Sequence, residues 1–154
     1  MVVQAEMLGD PDYMRHLGGH ALSREEAWRK ILCGVGLWPL FGFGYWSVER
    51  REDGAYIGQV GFADFKRDMT PSIEGLPEMG WVLAPSAHGQ GYASEAVAGA
   101  LDWAEAALAG REIVAIIDAD NAASIRVAEK AGFSIREPAT YRDESILLFR
   151  RPPV

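Results

Sequence analysis

The chain of 154 residues has a single cysteine, Cys33. One thiol excludes an internal disulfide framework and any zinc site built on several cysteines. Basic residues are also scarce: 15 Lys and Arg against 22 Asp and Glu give a formal charge of −7. That balance argues against a nucleic-acid backbone or an anionic membrane surface as the main partner. Residues 1–10 lack the basic stretch and apolar run of a signal peptide, so a cytoplasmic location is expected. A long hydrophobic run is nearly present, because no charged residue occurs from Ile31 to Val48, but Gly34, Gly36, Pro39, Gly42 and Gly44 interrupt it. The stretch reads as a helix end, a loop and a strand start rather than a membrane span. His16 and His20 are four apart with Gly18 and Gly19 between them, a poor frame for a helical metal pair, and no metal is expected.

Glycine, in contrast, is abundant at 17 residues and is joined by 8 prolines, so the chain must turn often. With 49% hydrophobic and 24% charged residues, it reads as one soluble globular domain over 1–154. A chain of this length can bury roughly 68 to 70% of its unfolded surface without staples.

Residues 1–17 suit short helical turns, with Pro11 inside them and Gly18-Gly19 ending them. Ser23 and Glu26 form a capping box that opens a helix over Arg24–Val35. Tyr45–Arg50 and Tyr56–Phe65 read as a hairpin around Glu52-Asp53-Gly54, followed by a loop over Thr70–Pro77. Glu78–Ala84 is strand-like and Pro85–Gly91 is irregular. Tyr92–Leu108 is helical, with Ala93, Val97, Leu101, Ala104 and Leu108 on one face, and Gly110 closes it. Ile113–Ile117 is an unbroken apolar run, as a strand covered on both faces would be. A strand, a glycine loop, a helix and a second strand imply a parallel pair joined by a crossover. Asn121–Ala131 reads as a short helix with Gly132 as its C-cap, and Phe133–Ile135 and Ser145–Phe149 as closing strands. The fold class is α/β or α+β with a mixed sheet.

The loop His88-Gly89-Gln90-Gly91-Tyr92-Ala93 sits between strand and helix. A helix N-terminus offers unpaired amides and partial positive charge, and glycines let the backbone approach a phosphate. The alternative is an ordinary strand-to-helix turn that needs glycine for its backbone angles. A P-loop is excluded because Gly-Lys-Ser/Thr is absent, and the dinucleotide fingerprint because Ser94 stands at its third glycine.

The loop with its flanks, EMGWVLAPSAHGQGYASEAV, followed by DNAASIRVAEKAGF over Asp120–Phe133, resembles the GNAT superfamily of acetyl-CoA-dependent N-acetyltransferases, and within it the RimJ/RimL-like subgroup. The resemblance runs from about Met7 to Phe149. It implies a mostly antiparallel sheet flanked by helices around a parallel coenzyme-binding core. It also implies that amides over Gly89–Ala93, with His88, Gln90, Gly91 and Tyr92, hold the pyrophosphate of coenzyme A. Trp81-Val82-Leu83 would pair by backbone with the pantetheine arm, and Asn121 and Ser124 would face that arm or the thioester.

Amide formation needs a neutral amine, whereas free amines have pKa values from about 7.7 to about 10.4, so a base or water chain must take a proton. Glu78 resembles the family's carboxylate at this strand start and is the expected base; the alternative is a solvated strand-end carboxylate. Asp118 and Asp120 are reserves, with capping of the following helix as the alternative reading of Asp120. A backbone amide near Val82 or Leu83 would hold the oxyanion. The family's tyrosine, seven residues after the asparagine, is here Ala128, which removes the usual acid. Ser124 takes that role, with a helix-capping hydroxyl as its alternative. His88 stands where the family has Gln or Arg, and a histidine still donates to phosphate.

Trp38, Trp46, Trp81, Phe41, Phe43, Tyr45 and Phe65 read mainly as core, with some left for an acceptor pocket. Cys33 reads as a small buried residue rather than a nucleophile, since direct transfer needs no covalent enzyme intermediate. The expected function is transfer of acetyl from acetyl-CoA to a primary amine, with a non-catalytic acyl-CoA-binding module and a domain binding another phosphate ligand as rivals. Residues 1–6 do not resemble the family's first strand, so that strand is expected to be missing, leaving a sheet edge that is open or covered by a second subunit in a homodimer.

Overall fold

The computed structural model describes residues 2–153; Met1 and Val154 of the expected span lie outside them. Three helices come first: α1 (Val2–Leu8), α2 (Pro11–Met14) and α3 (Arg24–Phe41). They are followed by β1 (Tyr45–Glu49), β2 (Tyr56–Ala63), β3 (Met69–Thr70) and β4 (Glu78–Leu83). Then come α4 (Tyr92–Ala107), β5 (Ile113–Ile117), α5 (Ala122–Lys130), β6 (Ile135–Tyr141) and β7 (Glu144–Arg151). The strands form one mixed sheet in the order β1-β2-β4-β5-β7-β6-β3. β4 pairs parallel with β5, Glu78 opposite Val114, while β1–β2, β3–β6, β5–β7 and β6–β7 are antiparallel. This is the mixed α/β architecture expected from the strand, glycine loop, helix and strand. Among the described residues no strand precedes β1, which stands at one end of the sheet order.

Contacts group the chain into two compact units, the residues up to Gly61 with Trp81–Ala93, and Phe62–Gly80 with the residues from Ser94 onward. In the first unit, the Ser23 hydroxyl accepts from the Glu26 amide while the Glu26 carboxylate accepts from the Ser23 amide at 2.8 Å. This reciprocal cap satisfies two orphan donors at the start of α3. The helix buries Ala27 and Ile31 against Leu8, Tyr13 and Met14.

α3 runs to Phe41 rather than ending at Val35, and it passes through Pro39. A proline this close to the C-terminus removes only one hydrogen bond of the last turn. Gly42 then closes the helix with its amide on the Trp38 carbonyl. The charge-free stretch is therefore mostly helix, and its exposed face carries Leu32, Val35 and Leu40. Cys33, expected to be buried, is exposed on the same helix. In the hairpin that follows, Arg50 clamps Asp53 at 2.6 and 2.9 Å across the turn. Hydrogen bonding from Arg50, then from the Ala55 amide, holds the Asp53 carboxyl down to about 2.

In the second unit, Val114 and Leu148 pack with Met69, Ile73, Ala139 and Ile146. Every residue of β5 but Ile116 is buried, as its unbroken apolar run requires. The expected loop over Thr70–Pro77 gives up its first residue to β3, which pairs Thr70 with Thr140; a two-residue strand leaves no periodicity to read. The closing strand expected over Phe133–Ile135 begins only at Ile135 and runs to Tyr141, while Phe133 is a buried core residue before it. The cap of α5 is Asn121, whose Oδ1 accepts from the Ser124 amide at 3.1 Å, so Asp120 is not the cap.

Candidate functional site

The glycine loop belongs to the first unit. Its base is an apolar cluster of Ile57, Leu83 and Ala87, against which Val48, Tyr92 and Ala93 pack. A short 3₁₀ turn over Pro85–Ala87 leads out of β4, with the Ala87 amide on the Ala84 carbonyl and the His88 amide on the Pro85 carbonyl. Two side chains then pin the loop to its own entrance. His88 Nε2 lies 2.9 Å from the Leu83 carbonyl oxygen, and because a carbonyl only accepts, that nitrogen is the donor. Gln90 Nε2 donates to the Ser86 carbonyl at 2.8 Å.

Gly89 and Gly91 take left-handed backbone angles, φ 75° and 86°, which a residue with a Cβ adopts only with strain. The chain thereby turns into the first residue of α4, Tyr92, with His88, Gly89, Gln90 and Gly91 all exposed. Exposed amides at the start of a 16-residue helix suit an anionic group. Trp81 and Val82, upstream on β4, are half-buried.

Gly58 is a feature of this unit that the sequence reading passed over. A Cβ there would lie 2.8 Å from Leu83 Cα and closer still to the Val82 carbonyl oxygen. The expected pantetheine edge of β4 is thus set by a close approach of β2 that only glycine permits. Two glycines inside one strand, Gly58 and Gly61, were the available signal.

The second unit holds the expected base. Glu78, the first residue of β4, is only 4% exposed, which removes the solvated strand-end alternative. Both of its oxygens accept from one guanidinium, Arg67 Nε to Oε2 at 2.5 Å and Nη2 to Oε1 at 2.7 Å. Arg67 also lies 4.9 Å from the ring centroids of both Phe65 and Tyr141. Burial opposes its charge, yet the hydrogen bonds and charge of Glu78, with a smaller contribution from Tyr141, together outweigh burial and keep Arg67 above its usual value. Arg67 was invisible in sequence because Lys66-Arg67-Asp68 reads as a solvated charged turn.

Asn121 and Ser124 are brought together at the start of α5, where Asn121 is spent partly on capping and Ser124 is half-buried. Asp118 is half-buried and Asp120 exposed, and their main-chain carbonyls accept from the amides of Asn121 and Ala122. Ala128, where the family has tyrosine, is fully buried, so its place in α5 is a packing position. Among the aromatics, Phe43 is core, Trp38 meets Trp46 edge-on at 5.0 Å, and Phe41 and Phe65 are exposed.

Comparison with known proteins adds to this geometry. YkkB of Bacillus subtilis (strain 168), itself described as uncharacterized, is 31% identical over 113 residues, which are 72% of this chain and 62% of YkkB. The chain thus spans less than two thirds of the length of that curated relative. An acetyltransferase from Agrobacterium tumefaciens str. C58 superposes with a TM-score of 0.76 at 27% identity, over 97% of this chain and 82% of the other. A phosphinothricin acetyltransferase from Sinorhizobium meliloti, solved with acetyl-CoA, shares the fold with a TM-score of 0.71 at 20% identity, over 99% and 85% of the two chains. The profile of the acetyltransferase (GNAT) domain matches residues 2–134. The chain belongs to the GNAT acetyltransferase family.

Proposed function

We propose that the protein transfers an acetyl group from acetyl-CoA directly to a primary amine, either a protein N-terminal α-amine or the amine of a small molecule. A place in the RimJ/RimL-like subgroup and a cytoplasmic location are part of this reading. The observation that carries it is the exposed glycine loop, turned at Gly89 and Gly91 into the first residue of α4. Amides over Gly89–Ala93, with His88, Gln90 and Tyr92, would hold the pyrophosphate. The backbone of Trp81, Val82 and Leu83 would line the pantetheine arm, with Asn121 and Ser124 toward the thioester. Acetyl-CoA supplies an activated acyl group, so no metal is needed.

In the reaction a neutral amine attacks the thioester carbonyl, a C–N bond forms, and the C–S bond breaks. An amide near Val82 or Leu83 would stabilise the oxyanion. The thiolate takes up a proton delivered through Ser124, and the amine loses one to Glu78, directly or through water. A carboxylate offers about four lone-pair sites, of which Arg67 occupies two, so Glu78 retains acceptor capacity.

Two variants test the loop and the base separately. Gly91→Glu places a strained, negatively charged residue among the phosphate-facing amides, and coenzyme A affinity measured by calorimetry should fall at least about tenfold. Glu78→Gln should bind coenzyme A as wild type does, while turnover falls by about a hundredfold or more. Unchanged binding in the first variant contradicts the loop assignment, and unchanged turnover in the second contradicts the base.

A further inference from the structure

Arg67 is held far more firmly than an ion pair requires. It sits in the segment between β2 and β3, and its side chain is 19% exposed against 5% for Glu78. The guanidinium is gripped from three sides by the Glu78 carboxylate and the rings of Phe65 and Tyr141. The backbone beneath it is fixed as well. Asp64 accepts from the Lys66 amide, the Lys66 ammonium and the Gly75 amide, and Lys66 takes a left-handed φ of 51°.

Burying a charge pair costs desolvation on both partners, and an apolar pair of similar volume is often equally stable or better. Stability alone therefore does not account for an arginine and a glutamate at this place. What the pair does achieve is orientation, because a bidentate fork defines the carboxylate plane. Among the described residues, three ionisable groups line the pocket beside Glu78. Asp64, Lys66 and Arg67 come from the β2–β3 segment, and the ring of Tyr141 from β6 lies against Arg67 and Arg142. The residue opposite Glu78 on β5, Val114, does not ionise. Lys66 pairs with Asp64 and Glu74, and Arg67 bonds to both oxygens of Glu78.

We infer that Arg67 is a positioning residue for acetyl transfer: its fork fixes the plane of the Glu78 carboxylate and pairs its buried charge, leaving the remaining lone pairs to receive the proton of the amine. This inference rests on the reading of Glu78 as the base.

The test is thiol release from acetyl-CoA with an alanine-initiated peptide and with spermidine as acceptors, as a function of pH. Arg67→Met leaves a buried carboxylate without its cation, which favours the protonated form. The acidic limb of the kcat/KM profile should then move up by about one pH unit or more, and kcat should fall at least about tenfold with KM for acetyl-CoA within about twofold. Arg67→Lys keeps the charge without the fork, so it should leave the acidic limb near its wild-type place while recovering only part of kcat. If Arg67→Met does not fold, the Arg67→Lys result decides alone, and full wild-type kcat overturns the inference.

An acidic limb unmoved in Arg67→Met also overturns it, provided that Glu78→Gln is inactive. Wild-type turnover by Glu78→Gln overturns the base reading instead, whatever Arg67 does. No turnover by the wild-type protein with either acceptor counts against the amine-transfer reading on which both depend.

Discussion

At the scale of single residues, the positions of greatest consequence carry no obvious chemistry. Gly58 has no side chain to contribute, yet the expected coenzyme edge of β4 lies where it does because nothing stands between Gly58 and Leu83. Gly58→Ala must push Val82 and Leu83 away or strain β2, and a cost of about 3 kcal/mol is expected in urea denaturation, with weaker coenzyme A binding by the folded fraction. Stability within about 0.5 kcal/mol of wild type would show that the close approach is not required. His88 illustrates a different point. Its Nε2 is spent on the Leu83 carbonyl, so whatever it offers a phosphate must come from Nδ1, and only when the ring is protonated.

At the scale of elements, the β2–β3 segment behaves as a clasp built around Asp64. Burial works to raise the Asp64 carboxyl, and hydrogen bonds from Lys66 and the Gly75 amide outweigh it, so the group lies below its usual value. A carboxylate depressed in the folded state contributes stability above its unfolded value of about 3.9 and loses that contribution as pH falls through the folded one. Thermal melting at pH 6 should therefore separate wild type from Asp64→Asn, and the gap should narrow below about pH 4. A gap of equal size at both pH values would contradict the clasp.

Which elements were legible in the sequence follows from how locally each is determined. The α3 start was readable because Ser23 and Glu26 satisfy each other within four residues. β5 was readable because five consecutive apolar residues need cover on both faces. The α3 end was not, since Pro39 and the glycines argue locally for a break that packing and the Gly42 cap override. β3 was not either, because two residues pair with Thr140 and Tyr141 some seventy positions away. The candidate site divides in the same way. The glycine loop is contiguous and could be read directly, whereas the partner of Glu78 is eleven residues distant, in an irregular segment with no period to read.

At the scale of the whole molecule, the formal charge of −7 fits a cationic amine or a basic peptide as acceptor, but so common a feature does not choose between acceptors. Among the described residues no helix is long and apolar enough to cross a membrane. On the proposed reading, acetyl passes from acetyl-CoA to an amine nitrogen. The most direct measurement is a single thiol-release screen with N-terminal peptides, polyamines, aminoglycosides and amino acids, with each product identified by mass spectrometry. With at least one amine, thiol should be released from acetyl-CoA in step with gain of one acetyl group on the amine nitrogen, with no acetylated protein accumulating. Tight coenzyme A binding with no thiol release for any amine would contradict it, and would make the chain an acyl-CoA-binding module instead.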